Sequence, residues 1–490
     1  MSKIVYIFLS LFLVVSCTKK TVILDGEPTP GFSLPLILNL NGKDCFYDDD
    51  LNLLKYPISN NELQNFQALV KFQNEAEVLF NKQISLQNNH VNSFGDLEYH
   101  KPYDLQVKLL DKTLNLKFIF TNLTLARVVT YDDIKNDPKS LAKLTVNYAN
   151  YPIPSYNKYI GIEIRGKSSV FNDKKSYGFA PLQTKALKDV SSSSFFNFET
   201  NHKWALDALF TDKSKVRNKV CFELWSSLSS VSIESEFLEL FVNNKSLGLY
   251  RLSEIYTDEN LNLSNNSSMH EGIDNSTFTK FLELPANMPS GKFWADWEQV
   301  YPDPSEKDSW DDFYELSRLI TTASNAEFNQ KIFDQLDINN TIDYYLFMSL
   351  CDGYDNLGKN WFFLKKDQTQ KFKILLWDLD ATWGRTSQGY TRSYNKTNEN
   401  NLFSRLLELN TNDFRNKVKN RWELLRSNQF SEATIKALFE SNLNQLANYN
   451  AEELENTKWN SNFNIQAEKQ YINSWISNRL IFLDNYFSNL

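Results

Sequence analysis

The chain has 490 residues, with 52 Lys and Arg against 60 Asp and Glu, for a net charge of -8. Hydrophobic residues make up 42% and charged residues 23%, enough for packed interiors and too little charge bias to hold the chain unfolded. Single cores stop growing beyond roughly 250 to 300 residues, so two or three folding units are expected. The acidic balance lacks the cationic stripe that displaces counterions from phosphate backbones, which excludes nucleic acid as an expected partner.

Met1 to Cys17 reads MSKIVYIFLSLFLVVSC, one Lys ahead of an apolar run from Ile4 to Val15. The run is too short to span a bilayer but suits a signal-peptide core. Val14-Val15-Ser16-Cys17 resembles a bacterial lipobox, so residues 1–16 are expected to be removed and Cys17 to carry lipid. The expected location is the bacterial cell envelope, periplasmic or cell-surface, with the lipid as membrane attachment. Residues 17–32, containing GEPTPGF, read as a tether. Cys45, Cys221 and Cys351 are too few for a disulfide framework. His90, His100, His202 and His270 match no zinc spacing.

Residues 33–122 read as a small β-sandwich, with alternating stretches such as Leu105 to Leu110 and Leu114 to Phe120. The run Asp48-Asp49-Asp50 lacks the Gly and distal Glu of a calcium loop and reads as a solvated turn. From residue 123 onward strands come first and helices later. Tyr159 to Arg165 alternates, and Phe237 to Val242 and Leu247 to Leu252 form a hairpin about Asn243-Asn244-Lys245. Asp311 to Asp334 and Asn339 to Leu350 have helical spacing, and Trp361 to Leu364 with Phe372 to Trp377 make a second hairpin. Most of 400 to 490 is helical, including Ala467 to Phe487. A β-rich half followed by an α-rich half predicts two lobes with a cleft between them.

Gly161 to Ser168, GIEIRGKS, matches the P-loop pattern in letters only. Its four central residues alternate apolar and charged and therefore form the strand itself, which leaves no loop to curl around phosphate.

Cys351 to Gly384 carries the chemistry. Asp355 precedes Asn360 by five residues, and a hairpin then returns the chain to Asp378 and Asp380. The spacing resembles a phosphoryl-transfer site, in which one Asp orients the acceptor hydroxyl, an Asn binds magnesium and a second Asp bridges metal and phosphate. Magnesium takes hard oxygen ligands, and one or two carboxylates suffice when substrate phosphates supply the rest. Asp378 follows the apolar run Ile374-Leu375-Leu376-Trp377, so a carboxylate stands at the end of a buried strand, where an ion would offset its cost. Each of these residues also has a plainer reading as a turn former. A Lys at Lys174-Lys175 begins a strand, where a phosphate contact would stand, and Glu254 ends the strand that crosses between lobes.

The ordered set resembles the spore-coat CotH protein-kinase family. The matching pieces are Arg165-Gly166-x-Ser168-Ser169, Lys174-Lys175-Ser176-Tyr177, Asp212-x-Ser214-x-x-Arg217-Asn218, LELFVNNKSLGLYRLSE from Leu238 to Glu254, the loop Asp355 to Trp361, and Trp377-Asp378-Leu379-Asp380 through Gly384. Lys167 stands where the family usually has Asn, which creates the false P-loop. The resemblance implies an α+β, bilobal, atypical protein-kinase-like domain over 123–490, preceded by the all-β sandwich. It further implies ATP-dependent, magnesium- or manganese-assisted phosphorylation of Ser or Thr on a protein substrate. Carried over by position, Asp355 is the catalytic residue, Asn360, Asp378 and Asp380 are metal ligands, and Lys175, Arg165, Glu254 and Arg217 contact or support the nucleotide. Two other readings stay open: an envelope adhesion lipoprotein that keeps the fold without the chemistry, and a sugar-nucleotide transferase using Asp378-Leu379-Asp380 as its metal motif.

Overall fold

The computed structural model describes residues 37–490 apart from 74, 110, 111, 131, 168 and 230. Cys17, the signal-like segment and the tether lie outside the described residues.

Two antiparallel-rich sheets, one of four strands and one of six, face each other over residues 39–121. Strand Phe66–Lys71 shows how the sequence builds them: Phe66, Ala68 and Val70 point inward while the residues between them are exposed. The interior is a knot of rings, with Phe66, Phe80 and Phe94 each 5.1–6.3 Å from a neighbouring ring and Phe120 touching all three. Asp48 accepts the Asp50 N–H, closing the acidic run as a turn.

Strand Lys112–Thr121 of this sandwich runs almost directly into Thr124–Thr130, the first strand of a seven-stranded barrel. The barrel closes because Thr124–Thr130 pairs in parallel with Ser235–Val242, placing Leu238 opposite Thr124. Closure is a feature that the alternating segments alone do not specify, since it requires the first and a late strand to meet across more than 100 residues of chain; the gain is a sheet without an open edge. Leu144, Ile160, Ile162, Trp204, Leu238 and Leu252 fill its interior. The expected hairpin is Ser235–Val242 with Lys245–Glu254, turned by Asn243 at φ 56°. Gly161 to Arg165 lie inside strand Tyr156–Arg165, so the P-loop-like letters form extended chain and not a phosphate-binding loop.

The sandwich is keyed to the barrel by a buried ion pair, Lys55 Nζ to Glu239 Oε1 at 2.7 Å, beside an apolar contact of Phe46, Leu125 and Phe241.

Residues 268–376 contribute a five-stranded sheet that ends in the hairpin Trp361–Lys365 and Lys373–Leu376. Three strands ahead of that hairpin, Ser268–Gly272, Phe293–Trp294 and Trp297–Tyr301, were not foreseen from the sequence. Helices Asp311–Thr321 and Asn325–Gln335 replace the single expected run over 311–334, because Ser324 caps the second helix by accepting the Glu327 N–H. Helix Ile338–Cys351 is capped by Asp337, as its sequence suggests. Helices from Asn401 to Ser488 complete a core that contains Trp225, Trp361, Trp383 and Trp475. Among the described residues no helix is long and apolar enough to cross a membrane.

Candidate active site

The Cys351 to Gly384 segment is pinned at both ends before any functional group is considered. Helix Ile338–Cys351 stops at Asp352, which is left-handed at φ 56° and fully buried, its carboxylate gripped by Arg392 at 2.7 and 3.0 Å. The single turn Asp355–Leu357 follows. Asn356, 0% exposed, donates through one amide nitrogen to the Asn360 carbonyl at 3.0 Å and the Trp377 carbonyl at 2.6 Å. One buried side chain thus ties the start of the hairpin to its end, and fixes Asn360 and Asp378 relative to each other. Both have left-handed backbones, φ 57° and 49°, a conformation that Asn and Asp tolerate better than other side chains.

Asp378 and Asp380 line a cavity of about 80 Å³ at the junction of the barrel and the helical half. Ser169, Asn172 and Ser176 form one wall, from the connection between strands Tyr156–Arg165 and Ser176–Pro181. Residues 207–212 form another, and Asn218 closes the floor. Asn218 Oδ1 accepts the Leu379 N–H at 3.4 Å, and Thr211 donates to Asp380 at 2.8 Å. The Asp378 side chain is open to solvent yet sits deep within surrounding protein, the disposition of a group at the bottom of a cleft.

Electrostatics follow from this crowding. Burial, then repulsion from Asp207, raises the Asp378 carboxyl to about 6, against the pull of Arg165 and Lys359. Burial and Asp378 push Asp380 well above the ordinary carboxylate range. Arg165 lies 5.4 Å over the Trp377 ring. Asp355 pairs with Lys359 at 3.0 Å and accepts from Asn275 at 3.3 Å. Lys359 therefore stands electrostatically between Asp355 and Asp378, and its own pKa is raised because both carboxylates outweigh its burial. Glu271, on strand Ser268–Gly272, is raised to about 8 by burial and by Glu298, with Arg165 and Asp378 also in range.

The structure thus brings Asp378, Asp380, Arg165 and Asp355 to one region. Neither Asp355 nor Asn360 lines the cavity itself. Asn360 anchors its backbone on Gly272 at 2.9 Å. Three residues take other positions. Lys175 turns its amino group back onto the Val170 and Asn172 carbonyls, whereas its neighbour Lys174 points inward and is fully buried. Arg217 is also fully buried, bonded to Asp212 at 2.6 Å, Glu468 at 3.0 Å and the Thr382 carbonyl at 3.0 Å, so each of its three nitrogens is engaged within the protein and it braces the floor of the cleft outside the cavity lining. The Glu254 carboxyl, raised to about 7 by burial, accepts the Glu234 N–H at 2.9 Å and is not part of the cavity. Sequence reasoning missed Asp207, Thr211 and Glu271 altogether. Lys359 and Asn218 stood inside matched motifs without a role.

The donor set bears on a metal. Among the described residues no three His, Cys, Asp or Glu side chains are grouped so as to hold a metal ion by themselves. Asp378 and Asp380 are two cavity carboxylates that repel each other, a pair that a hard cation sharing its shell with phosphates can use, whereas Asp207, also on the lining, is paired with Arg251 at 2.8 Å. The residues present fit such an ion.

A closed β-barrel joined to a helical half, with Asp207, Asp212, Asp378 and Asp380 lining a small cavity at the junction, defines the fold and its candidate site. Comparison with known proteins gives the family. The profile described as "CotH kinase protein" matches residues 162–483, well over half of the 490-residue chain, and the chain belongs to that family. The Inner spore coat protein H of Bacillus subtilis (strain 168) is 24% identical over 265 residues, covering 51% of this chain and 68% of that protein. A solved structure, the Helicobacter pylori proinflammatory kinase CtkA, overlaps 61% of this chain and 94% of its own with a TM-score of 0.29 and 9% identity, too slight a likeness to bear on fold or chemistry.

Proposed function

We propose that the protein is an exported, lipid-anchored kinase that transfers the γ-phosphoryl group of ATP to a Ser or Thr hydroxyl of a protein. The barrel acts as the β-rich lobe and the helical half as the α-rich lobe of a bilobal kinase-like domain. The observation that carries this reading is the pair Asp378 and Asp380 in one cavity, with Arg165 and Lys359 acting on Asp378.

Asp378 and Asp380, with Asn360 nearby in chain and tied to the same hairpin, would hold magnesium or manganese. When bound, such an ion neutralises charge on the β- and γ-phosphates. Ser169 and Asn172 offer hydrogen-bonding groups to the phosphate chain from the barrel side. Arg165 and Lys359 balance the charge that builds up on the transferring group. Asp355 orients the acceptor hydroxyl and takes its proton as that oxygen bonds to the γ-phosphorus. The bond from phosphorus to the bridging oxygen breaks, ADP leaves with the electron pair, and the proton on Asp355 passes to solvent. Before substrate arrives the Lys359 ammonium masks Asp355, so binding of the phosphates, which draws Lys359 away, would expose the base.

The lipid on Cys17 and residence in the cell envelope complete the reading, motivated by the Met1 to Cys17 sequence. Incubation of the purified chain with γ-labelled ATP and magnesium or manganese should label a protein acceptor, and Asp378→Ala should abolish labelling. Equal labelling by that variant would overturn the site assignment. No labelling, together with no rise in melting temperature on adding ATP and metal, would favour the adhesion scaffold.

A further inference from the structure

We infer that Glu455, on helix Ala451–Trp459, is a positioning residue for the cleft: its single carboxylate holds two buried ammonium groups, Lys174 and Lys215, and through them both walls of the cavity. The functional consequence rests on the phosphotransfer reading; the mechanical one does not.

Glu455 is 1% exposed. Its Oε1 accepts from Lys174 Nζ at 2.7 Å and from the Leu249 N–H at 2.8 Å. Its Oε2 has no hydrogen bond and faces Lys215 Nζ at 3.7 Å. Lys215 donates to the carbonyls of Leu209 at 2.8 Å and Phe210 at 3.4 Å, two residues of one cavity wall. Lys174 lies between Asn172 and Ser176 of the other wall, and also donates to the Leu249 carbonyl at 2.5 Å. The barrel is shaped to admit this helix. Gly248 has φ +81°, and a Cβ there would fall 2.5 Å from Glu455 Oε1. Trp459, one turn on, donates to the Leu247 carbonyl at 2.9 Å and meets the Phe210 ring edge-on.

Two buried ammonium groups share one carboxylate, with Asp207 acting on Lys174 and Asp212 on Lys215 as further acidic neighbours. Lys174 meets Glu455 from the helix, Lys215 from the loop before Arg217, Asp207 from the cavity wall, and the Tyr250 ring at 4.7 Å from the barrel. Burial lowers its pKa to about 8, with Glu455 and Asp207 opposing and Lys215 assisting. Loss of the Glu455 charge would let Lys174 shed its proton at a lower pH.

Glu455→Gln in the full chain tests this, because the amide oxygen keeps the acceptor for Lys174 and Leu249 while the charge is removed and an amide NH2 faces Lys215. Hydrogen exchange should speed up by about tenfold or more in residues 172–176 and 207–212, with the sandwich unchanged. Binding of ATP with magnesium should weaken roughly tenfold, with kcat at saturation much less affected, as expected for a group acting through others. The alkaline limb of the binding profile should move to lower pH, which loss of packing alone would not produce. Wild-type exchange rates in both segments with wild-type affinity would overturn the inference. If the glutamine variant does not fold, Gly248→Ala, which displaces the carboxylate without removing it, should open the same two segments, and failure to do so is equally decisive. Should the wild type neither bind nor transfer phosphate, the phosphotransfer reading fails on that result, while exchange still decides whether Glu455 holds the walls.

Discussion

Replacing Arg217 with Met leaves the shape of helix Arg217–Ser226 intact and removes a guanidinium that bonds Asp212, Glu468 and the Thr382 carbonyl. Burial alone would raise the Asp212 carboxyl, yet Arg217 holds it below the ordinary range, so the charge is real in the folded protein. Breaking a buried pair costs about 3–5 kcal/mol, because the surviving charge is stranded. The lower end applies here: Asp212 keeps the Ser214 N–H and Oγ and the N–H of residue 217, each at 2.8 Å, and Glu468 keeps Arg385. The expected loss is therefore about 3 kcal/mol, read by urea denaturation followed through tryptophan fluorescence. Asp212→Asn added to Arg217→Met should recover a good part of it, since the stranded charge is then gone. A single variant that loses less than about 1 kcal/mol, the worth of an ordinary exposed pair, or a double variant no better than the single, would refute this account of the cleft floor.

The remaining expectations concern acid, the module interface and the metal. His270 is fully buried between Trp310 and Phe313, and burial, opposed only by a weak backbone contact at Ser309, lowers its pKa to about 3. A lowered His binds its proton only on unfolding, so stability falls as pH drops from about 6.5 towards 3. His270→Phe should lose about 2 kcal/mol less than wild type between pH 7 and pH 5 in urea melts. Lys55→Met strands Glu239, left with the Ser246 hydroxyl at 2.6 Å, and should lower the melting temperature, whereas Lys55→Met with Glu239→Leu should restore most of it. Asp378, raised to about 6, should lose metal and ATP affinity as pH falls through that value, by roughly tenfold per unit below it, in fluorescence titrations. Its raised pKa also means that the metal-free protein is destabilised as pH rises from the unfolded value of 3.8 through 6.

The hairpin Trp361–Lys365 with Lys373–Leu376 was legible because alternation and a polar turn are local signals; it carries Asn360 and Asp378 at its ends, but of Asp355, Asn360 and Asp378 only the last lines the cavity. Helix breaks were less so: the split at Ser324 depends on one cap inside a continuous helical pattern. Lys174 and Lys175 are indistinguishable as letters. Only the partner, Glu455 almost 300 positions on, decides that the first is buried and the second bonds its own loop.

Local order, the strand character of Gly161 to Arg165 and the placing of acids around one hairpin came from the sequence by itself, since each depends on residues close together in the chain. The tertiary structure decided barrel closure, the approach of Asp207 to Asp378, the burial of Arg217 against Asp212 and Glu468, and the seat of Glu455. All four join segments far apart in the chain, where burial and charge pairing depend on what packs alongside and no spacing rule applies.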